Sequence, residues 1–433
     1  MSLNLHTECK QRLSEKIAEY LPQVKVQNRV FLERKSTGVL LLVEPILPQS
    51  GMIKVQLEQY VSEAPIYNFI YETLSTELYE SQEYDSAFPS TSLAELEGYH
   101  DPKAVAQKLV EGFESLPWEY SLTIKLENDF GELFAKTIKN YSICDSMKLI
   151  NPNDEFIREF PLQSGIKARD RSLAGGLGLL GLSPQKWNQS ATYFQIRVIG
   201  FIGRYGDTAP LEEAISLLKA FCGIGIAVRL FKVNYTYRTL PTKAEFFVHR
   251  RVSNAWSIER IRELDAVVSD TFHDLVFHDL DGSLDSEAKK SSWMQNALGS
   301  ISCVFMNQEK ARRLILASQW FFDSFCGKNE LLSFVQTAVV MEILLGEKAV
   351  SDLTGLGELL RNRCAYLIGK SREQREGILK DFKEIYDVRS KIVHSGKSRL
   401  NLYERTLFSK LQWMCRRVIQ EEVKLLQEDL KSA

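Results

Sequence analysis

No apolar run in this chain reaches the roughly 18 residues that a membrane-spanning helix requires, so no transmembrane segment is expected. The first residues, Met1 to Lys10, are polar and hold no signal-peptide core, and a cytoplasmic location is the corresponding expectation. The seven cysteines (Cys9, Cys144, Cys222, Cys303, Cys326, Cys364 and Cys415) contain no C-x-x-C pair. A scattered, odd-numbered set reads as reduced thiols, and neither a disulfide framework nor a metal or cofactor is expected. Internal repeats and low-complexity tracts are absent too. What is present is ordinary: 433 residues, 44% apolar and 25% charged, figures that exclude a disordered, collagen-like or fibrous chain. Such a length calls for two or three domains.

The net charge of -2 hides an asymmetry. Residues 51–100 hold nine acids and one lysine, whereas 357–417 hold fifteen Lys/Arg against seven Asp/Glu. A basic C-terminal region points to a polyanion surface there, and the acidic stretch excludes nucleic acid coating the whole molecule.

Hydrophobic periodicity divides the chain. Residues 5–20 have the pattern of an amphipathic helix, and 24–46 read as strands (VKVQNRVFLER, then GVLLLVEPI). A helical, acidic stretch covers 56–82. Strand patterns return at Tyr120–Leu126 and Tyr193–Ile202, followed by a helix from Leu211 to Cys222 opened by Pro210 and closed near Gly223 and Gly225. Strands over Val228–Tyr237 and Ala244–Arg251 are expected to join through Pro241. Strand patterns vanish from about Ile258, and residues 278–292 read as a linker. Helices are expected near 308–325, 329–346, 354–368, 372–395 and 400–428, with breaks at Gly327 and at Gly346–Gly357. The expected fold is therefore an α+β region over 1–255, in one or two subdomains, a helix and linker over 256–295, and an all-α bundle over 296–433.

Three motifs fit a dull reading better than a functional one. Gly176, Gly178 and Gly181 spell G-x-G-x-x-G, but no strand precedes them, so they read as a glycine-rich loop. Asp270, His273, Asp274, His278, Asp279, Asp281 and Asp285 are all ligand types. The two histidines are about 140° apart on a helix, however, and the calcium-loop spacing is missing, so a solvated helix end and linker is expected. Between Arg229 and Arg260 seven cations interleave with Phe231, Tyr235, Tyr237, Phe246 and Phe247. That mixture can track single-stranded nucleic acid; a half-buried hairpin with its charges outward is the preferred reading.

The fourth C-terminal helix is more informative. Ile378, Leu379, Phe382, Ile385, Tyr386, Ile392 and Val393 form an apolar stripe, and Arg389 falls about 20° from Ile378, inside it. An arginine there must find an anion. Arg363 sits similarly among Leu356, Leu360, Cys364 and Leu367, and Glu342 lies within AVVMEILLG. The expectation is a structural ion network of Glu342 and Arg363 with Arg389, leaving one cation without a protein counter-charge. His394 follows in the last turn before Gly396, where the helix dipole favours positive charge.

RNA is cut without metal when its 2′-hydroxyl attacks the adjacent phosphorus. Histidine suits the proton transfers, and a guanidinium suits the phosphorane oxygens. Arg389 and His394 lie about 140° apart on one helix, so two copies meeting across a two-fold axis would aim them at one phosphate better than one copy does.

The segment IYDVRSKIVHSG resembles the R-x4–6-H signature of HEPN ribonuclease domains. Together with AVVMEILLG and RNRCAYLIG it resembles the ApeA-like HEPN group of bacterial abortive-infection proteins, over roughly residues 300–430. The resemblance implies an all-α HEPN bundle that forms a homodimer and cleaves RNA, transfer RNA included, leaving a 2′,3′-cyclic phosphate. It places the family's arginine at Arg389 and its histidine at His394; Ser390 and Lys391 beside them are minor candidates for phosphate contact. Ser390 departs from the family, which commonly has Asn, Asp or His there. The N-terminal region would then act as a sensor or gate, answering a phage-derived trigger or regulatory partner. The competing expectation is a non-catalytic HEPN module that dimerises and binds a nucleotide or a protein.

Overall fold

A computed structural model describes residues 3–126, 129–162, 186–206, 208–237, 240, 242–279, 282–347 and 355–432. The Gly176, Gly178, Gly181 motif and Asp281 lie outside the described residues.

The N-terminal stretch builds its own core. Helix α1 (Thr7–Tyr20) buries Leu13 and Ile17 against Ala106, Leu109 and Phe113 of a later helix, Pro102–Glu114. Between them lie β1 (Lys25–Gln27), β2 (Phe31–Leu32), α2 (Met52–Tyr60), α3 (Pro65–Ser81) and β3 (Thr91–Ser92); Pro102–Glu114 is α4. The Asp101 carboxylate caps α4 by accepting from the Lys103 and Ala104 amides, and Pro102 supplies the first helical φ. Strands β1 and β2 turn through Asn28 and Arg29, both at positive φ. The strand expected at GVLLLVEPI is instead a 3-10 helix, Gly38–Ile46. Only Leu40 and Val43 are buried there while Leu41 and Leu42 face solvent, the three-residue spacing of that helix type.

The centre is a six-stranded antiparallel sheet in the order β10-β9-β4-β7-β6-β5. Its strands are β4 (Trp118–Leu126), β5 (Tyr141–Cys144), β6 (Met147–Ile150), β7 (Thr192–Gly200), β9 (Glu245–Val252) and β10 (Ala255–Glu263). Residues two apart on a strand share a face. Thus Tyr120, Leu122, Ile124, Phe194, Ile196, Phe246 and Val248 pack on the main core with α5 (Asp129–Thr137) and α7 (Ala209–Ala227). Ser121, Thr123, Tyr193, Gln195, Phe247 and His249 take the other face, where α6 (Asp154–Glu159) brings Phe156, with Phe160 just beyond its end. Two expectations fail here. Val228–Tyr237 does not form a hairpin with 244–251: β8 (Phe231–Val233) pairs instead with β11 (Leu275–Phe277), beyond α8 (Ala266–His273). Nor do strands stop at 258, because β9 continues through Ser253 and Asn254, at φ 48° and 67°, into the edge strand β10.

Helix α7 does not close at its glycines. A Cβ at Gly223 would sit 1.9 Å from the Ser318 carbonyl oxygen, and one at Gly225 2.3 Å from the Phe231 ring. Gly223 lets α7 cross α10 (Arg312–Asp323) at backbone contact, and Gly225 makes room for the Phe231 ring. From α9 (Glu287–Met306) the described chain is helical: α10, α11 (Glu330–Leu345), α12 (Leu356–Ile368), α13 (Arg372–Ser395) and α14 (Leu402–Ser432). The linker expected over 278–292 already contains the first turns of α9, capped by Ser286. One core runs from Tyr120 and Phe221 through Phe305 and Phe321 to Phe382 and Val418. The divisions expected at 255 and 296 therefore fall inside a continuous core, and the clearest change of core separates the N-terminal residues up to Leu116, joined by Phe201, from the rest. The architecture is α+β. Among the described residues, no helix is long and apolar enough to cross a membrane.

Candidate functional site

Helix α13 starts at Ser371, whose hydroxyl accepts from the Gln374 amide, and ends at Gly396 with φ 63°, the left-handed conformation glycine adopts freely. Ile378, Phe382, Ile385 and Val388 are its buried stripe. Arg389 falls within the stripe, in angle between Ile378 and Phe382, and its side chain keeps 21% exposure. Its Nη2 stands 3.2 Å from Glu342 Oε1 of α11, and its guanidinium lies 5.9 Å from the centre of the Tyr386 ring. Arg389 Nε has no hydrogen-bond partner among the described residues. Tyr386 itself packs on the first turn of α12, where a Cβ at Gly357 would approach the ring to 3.0 Å. Burial and the Glu342 charge raise the Tyr386 phenol while Arg389 opposes them, so this hydroxyl stays protonated.

Arg363 corrects the expected network. It is not joined to Glu342: its Nη1 donates to the Leu345 carbonyl at 3.0 Å and its Nη2 to the Glu347 carboxylate, beyond the end of α11. Each cation therefore has a carboxylate, Arg389 with Glu342 and Arg363 with Glu347, and none is left over in this trio. The sequence pattern missed Glu347 because it follows Gly346, outside any apolar stripe.

His394 is exposed in the last turn of α13, as are Ser390 and Lys391. Arg389 and His394 are separated by about 7.5 Å along the axis and about 140° around it, so one copy turns Arg389 toward α11 and His394 toward solvent. The turn after His394 is firmly held. Asn401 and Glu404 form a reciprocal cap at the start of α14, with Asn401 N donating to Glu404 Oε2 and Glu404 N to Asn401 Oδ1. Burial disfavours the Glu404 charge, yet the Asn401 amide and Lys397, 3.0 Å away, hold its carboxyl below the usual range. Exposed apolar side chains surround this turn: Val393 at 47%, Leu402 at 81% and Tyr403 at 57%.

The remaining motifs are absorbed by the fold. Asp270 accepts from Thr242, Asp274 accepts from Thr236, and His273 Nε2 lies 3.2 Å from the Lys243 carbonyl oxygen. No group able to hold a metal occurs among the described residues. Of the basic run, Arg250 on β9 lies over Trp118 at 4.3 Å and Arg251 pairs with Glu119 at 2.9 Å, contacts between the neighbouring interior strands β9 and β4. Set beside protein families, curated proteins and solved structures, the chain matches none.

Proposed function

We propose that this protein is a metal-independent endoribonuclease of HEPN type, cutting RNA at a site completed by a second copy of the chain. The observation that carries the reading is the setting of the Arg389/His394 pair. A guanidinium is anchored half-buried by Glu342, and an imidazole stands free at a glycine-capped helix end. In the proposed step, His394 takes the proton from the 2′-hydroxyl as its oxygen bonds to phosphorus. The bond to the 5′-oxygen breaks, and that oxygen receives a proton in turn. Arg389 donates to the phosphorane oxygens, whose extra negative charge is largest in the transition state. Ser390 and Lys391, exposed on the same turns, contact flanking phosphate. The apolar rim of Val393, Leu402 and Tyr403 gives a second copy a surface to cover. Transfer RNA is the first substrate to test, and the N-terminal region is the proposed gate that answers a regulatory partner.

The pairing of Arg389 with Glu342 favours a second reading, a non-catalytic dimerising module in which that ion pair only fixes helix register. The two readings separate in one assay. Wild-type protein with excess EDTA should cleave RNA to 2′,3′-cyclic phosphate ends, and His394→Ala should leave the oligomer intact while cleavage is lost. Equal RNA turnover by wild type and variant would leave only the module.

A further inference from the structure

The last turn of α7 brings two arginines together at the surface. Helix α14 runs against this turn: Gln420 Nε2 donates to the Ala227 carbonyl at 2.7 Å, and Arg416 lies one turn earlier on the same face of α14. Trp293 of α9 also holds the turn, its indole N–H donating to the Arg229 carbonyl at 3.1 Å. Arg229 is exposed and Arg416 half-buried, so the pair opens to solvent. Burial, and then the Arg229 charge, lower the Arg416 guanidinium from its ordinary value, yet it remains a cation. Among the described residues Arg416 Nε has no hydrogen-bond partner, and neither arginine has a carboxylate partner. The nearest acid in the α14 sequence, Glu421, is already engaged by Arg417 at 3.1 Å and by Lys424 at 2.9 Å.

Arg229 also stands where glycine is the favoured residue. It follows the end of α7 at φ 62°, with Val228 N donating to the Ile224 carbonyl and Leu230 N to the Gly225 carbonyl, both at 2.8 Å. That left-handed conformation strains any residue with a Cβ. Like charges set side by side, one of them on a strained backbone, weaken the fold unless an anion from outside joins them.

The course of α14 indicates which anion. At about 100° per residue, Leu402, Trp413 and Arg416 fall within about 60° of one another around the helix. Leu402 is 81% exposed and Trp413 44%. Their face begins at the turn that follows His394 and reaches Arg416 about 21 Å further on. An exposed indole beside paired arginines can stack a base and hold the backbone of a single strand. A free phosphate would use the arginines and leave Trp413 without a role. We infer that Arg229 and Arg416 grip a phosphodiester of single-stranded RNA, with a base stacked on Trp413, on the stretch of strand that leaves the Arg389/His394 site. The inference rests on the nuclease reading for the identity of the strand, but its contacts are made without cleavage and are measured by binding alone.

The test uses fluorescence anisotropy of a labelled oligo(U) strand of about 20 nucleotides on the full chain in EDTA. His394→Ala protein is the parent, and Arg229→Gly, Arg416→Met and Trp413→Ala are added to it singly. Arg229→Gly deletes the charge and relieves the backbone, and Arg416→Met keeps the buried stem. Each arginine variant should bind the strand about tenfold more weakly, with the slope of log affinity against log salt smaller by about 0.7. Trp413→Ala should lose about tenfold with an unchanged slope. Neither arginine variant should melt below the parent, and Arg229→Gly should melt above it. Equal strand affinity in parent and arginine variants overturns the inference, as does an affinity loss confined to variants that melt lower. Inorganic phosphate that raises the melting temperature of the parent but not of the arginine variants, with Trp413→Ala binding the strand as tightly as the parent, would assign the pair to a free anion and overturn it too. Strand binding lost as expected, in a wild type that cuts no RNA, would leave this site standing without the nuclease reading. Cleavage by a wild type whose arginine variants bind the strand equally well would do the reverse.

Discussion

Two side chains carry most of the functional argument: Arg389, held by a carboxylate far away in sequence, and His394, exposed at its helix end. The Glu342–Arg389 pair is half-buried, between the exposed pairs that contribute little and the buried pairs whose separation is costly. Glu342→Gln should therefore destabilise the chain by about 1–2 kcal/mol. Replacing both residues by leucine should cost less than the two single leucine changes summed, as urea midpoints in a double-mutant cycle would register. Additive losses would mean that the pair does not interact. His249 sets a pH dependence. Its ordinary value of 6.5 falls to about 4 through burial, so between those values the unfolded chain binds a proton that the folded chain refuses. Its contribution to stability is complete above about pH 6.5 and is lost as pH falls toward 4, by about 2–3 kcal/mol. Glu44, raised by burial from 4.5 to about 6, runs the opposite way: its contribution is complete below about 4.5 and is lost as pH rises through 6. The denaturant midpoint should fall less between pH 7 and pH 4.5 in His249→Asn than in wild type. Parallel losses in the two proteins would show that His249 does not titrate in this range.

At the scale of elements, periodicity located the C-terminal helices well and the sheet poorly. Arg372–Ser395 follows from its Ser371 cap, its stripe through Ile378, Phe382 and Ile385, and its terminal Gly396. Strand β10, AWSIERIRE, escaped because this sheet-edge strand carries four charges in its last five positions, which breaks the apolar alternation. The buried polar face of the sheet escaped for a related reason. Alternation in SLTIK gives two faces, but it does not reveal that the face with Ser121 and Thr123 is covered. Gly223 and Gly225 were misplaced as a helix stop because glycine looks the same in sequence at a terminator and at a close crossing. That difference is measurable. Gly223→Ala drives a methyl group into the Ser318 backbone and should cost about 1–3 kcal/mol. Gly377→Ala in α13 meets nothing within 4 Å and should gain about 0.4–1 kcal/mol. Melting temperatures that moved the same way in both variants would refute the assigned helix crossing.

At the scale of the molecule, the helices do not stand apart from the sheet: one core joins Phe194 and Phe221 to Phe321 and Met341. A change at the sheet can therefore reach α11 and α13 through packed side chains, the route that the proposed gate would use. The two halves of the candidate site diverge within one copy, so the proposed reaction requires two copies. Arg389→Ala and His394→Ala proteins, each inactive alone, should regain about a quarter of wild-type RNA cleavage when unfolded and refolded together in equal amounts. Half of the random dimers are then mixed, and each mixed dimer holds one intact site of two. Recovered cleavage in EDTA, with 2′,3′-cyclic phosphate ends, is the predicted result. A refolded mixture that contains mixed dimers and yet cuts no more RNA than either variant alone would contradict a site shared between chains.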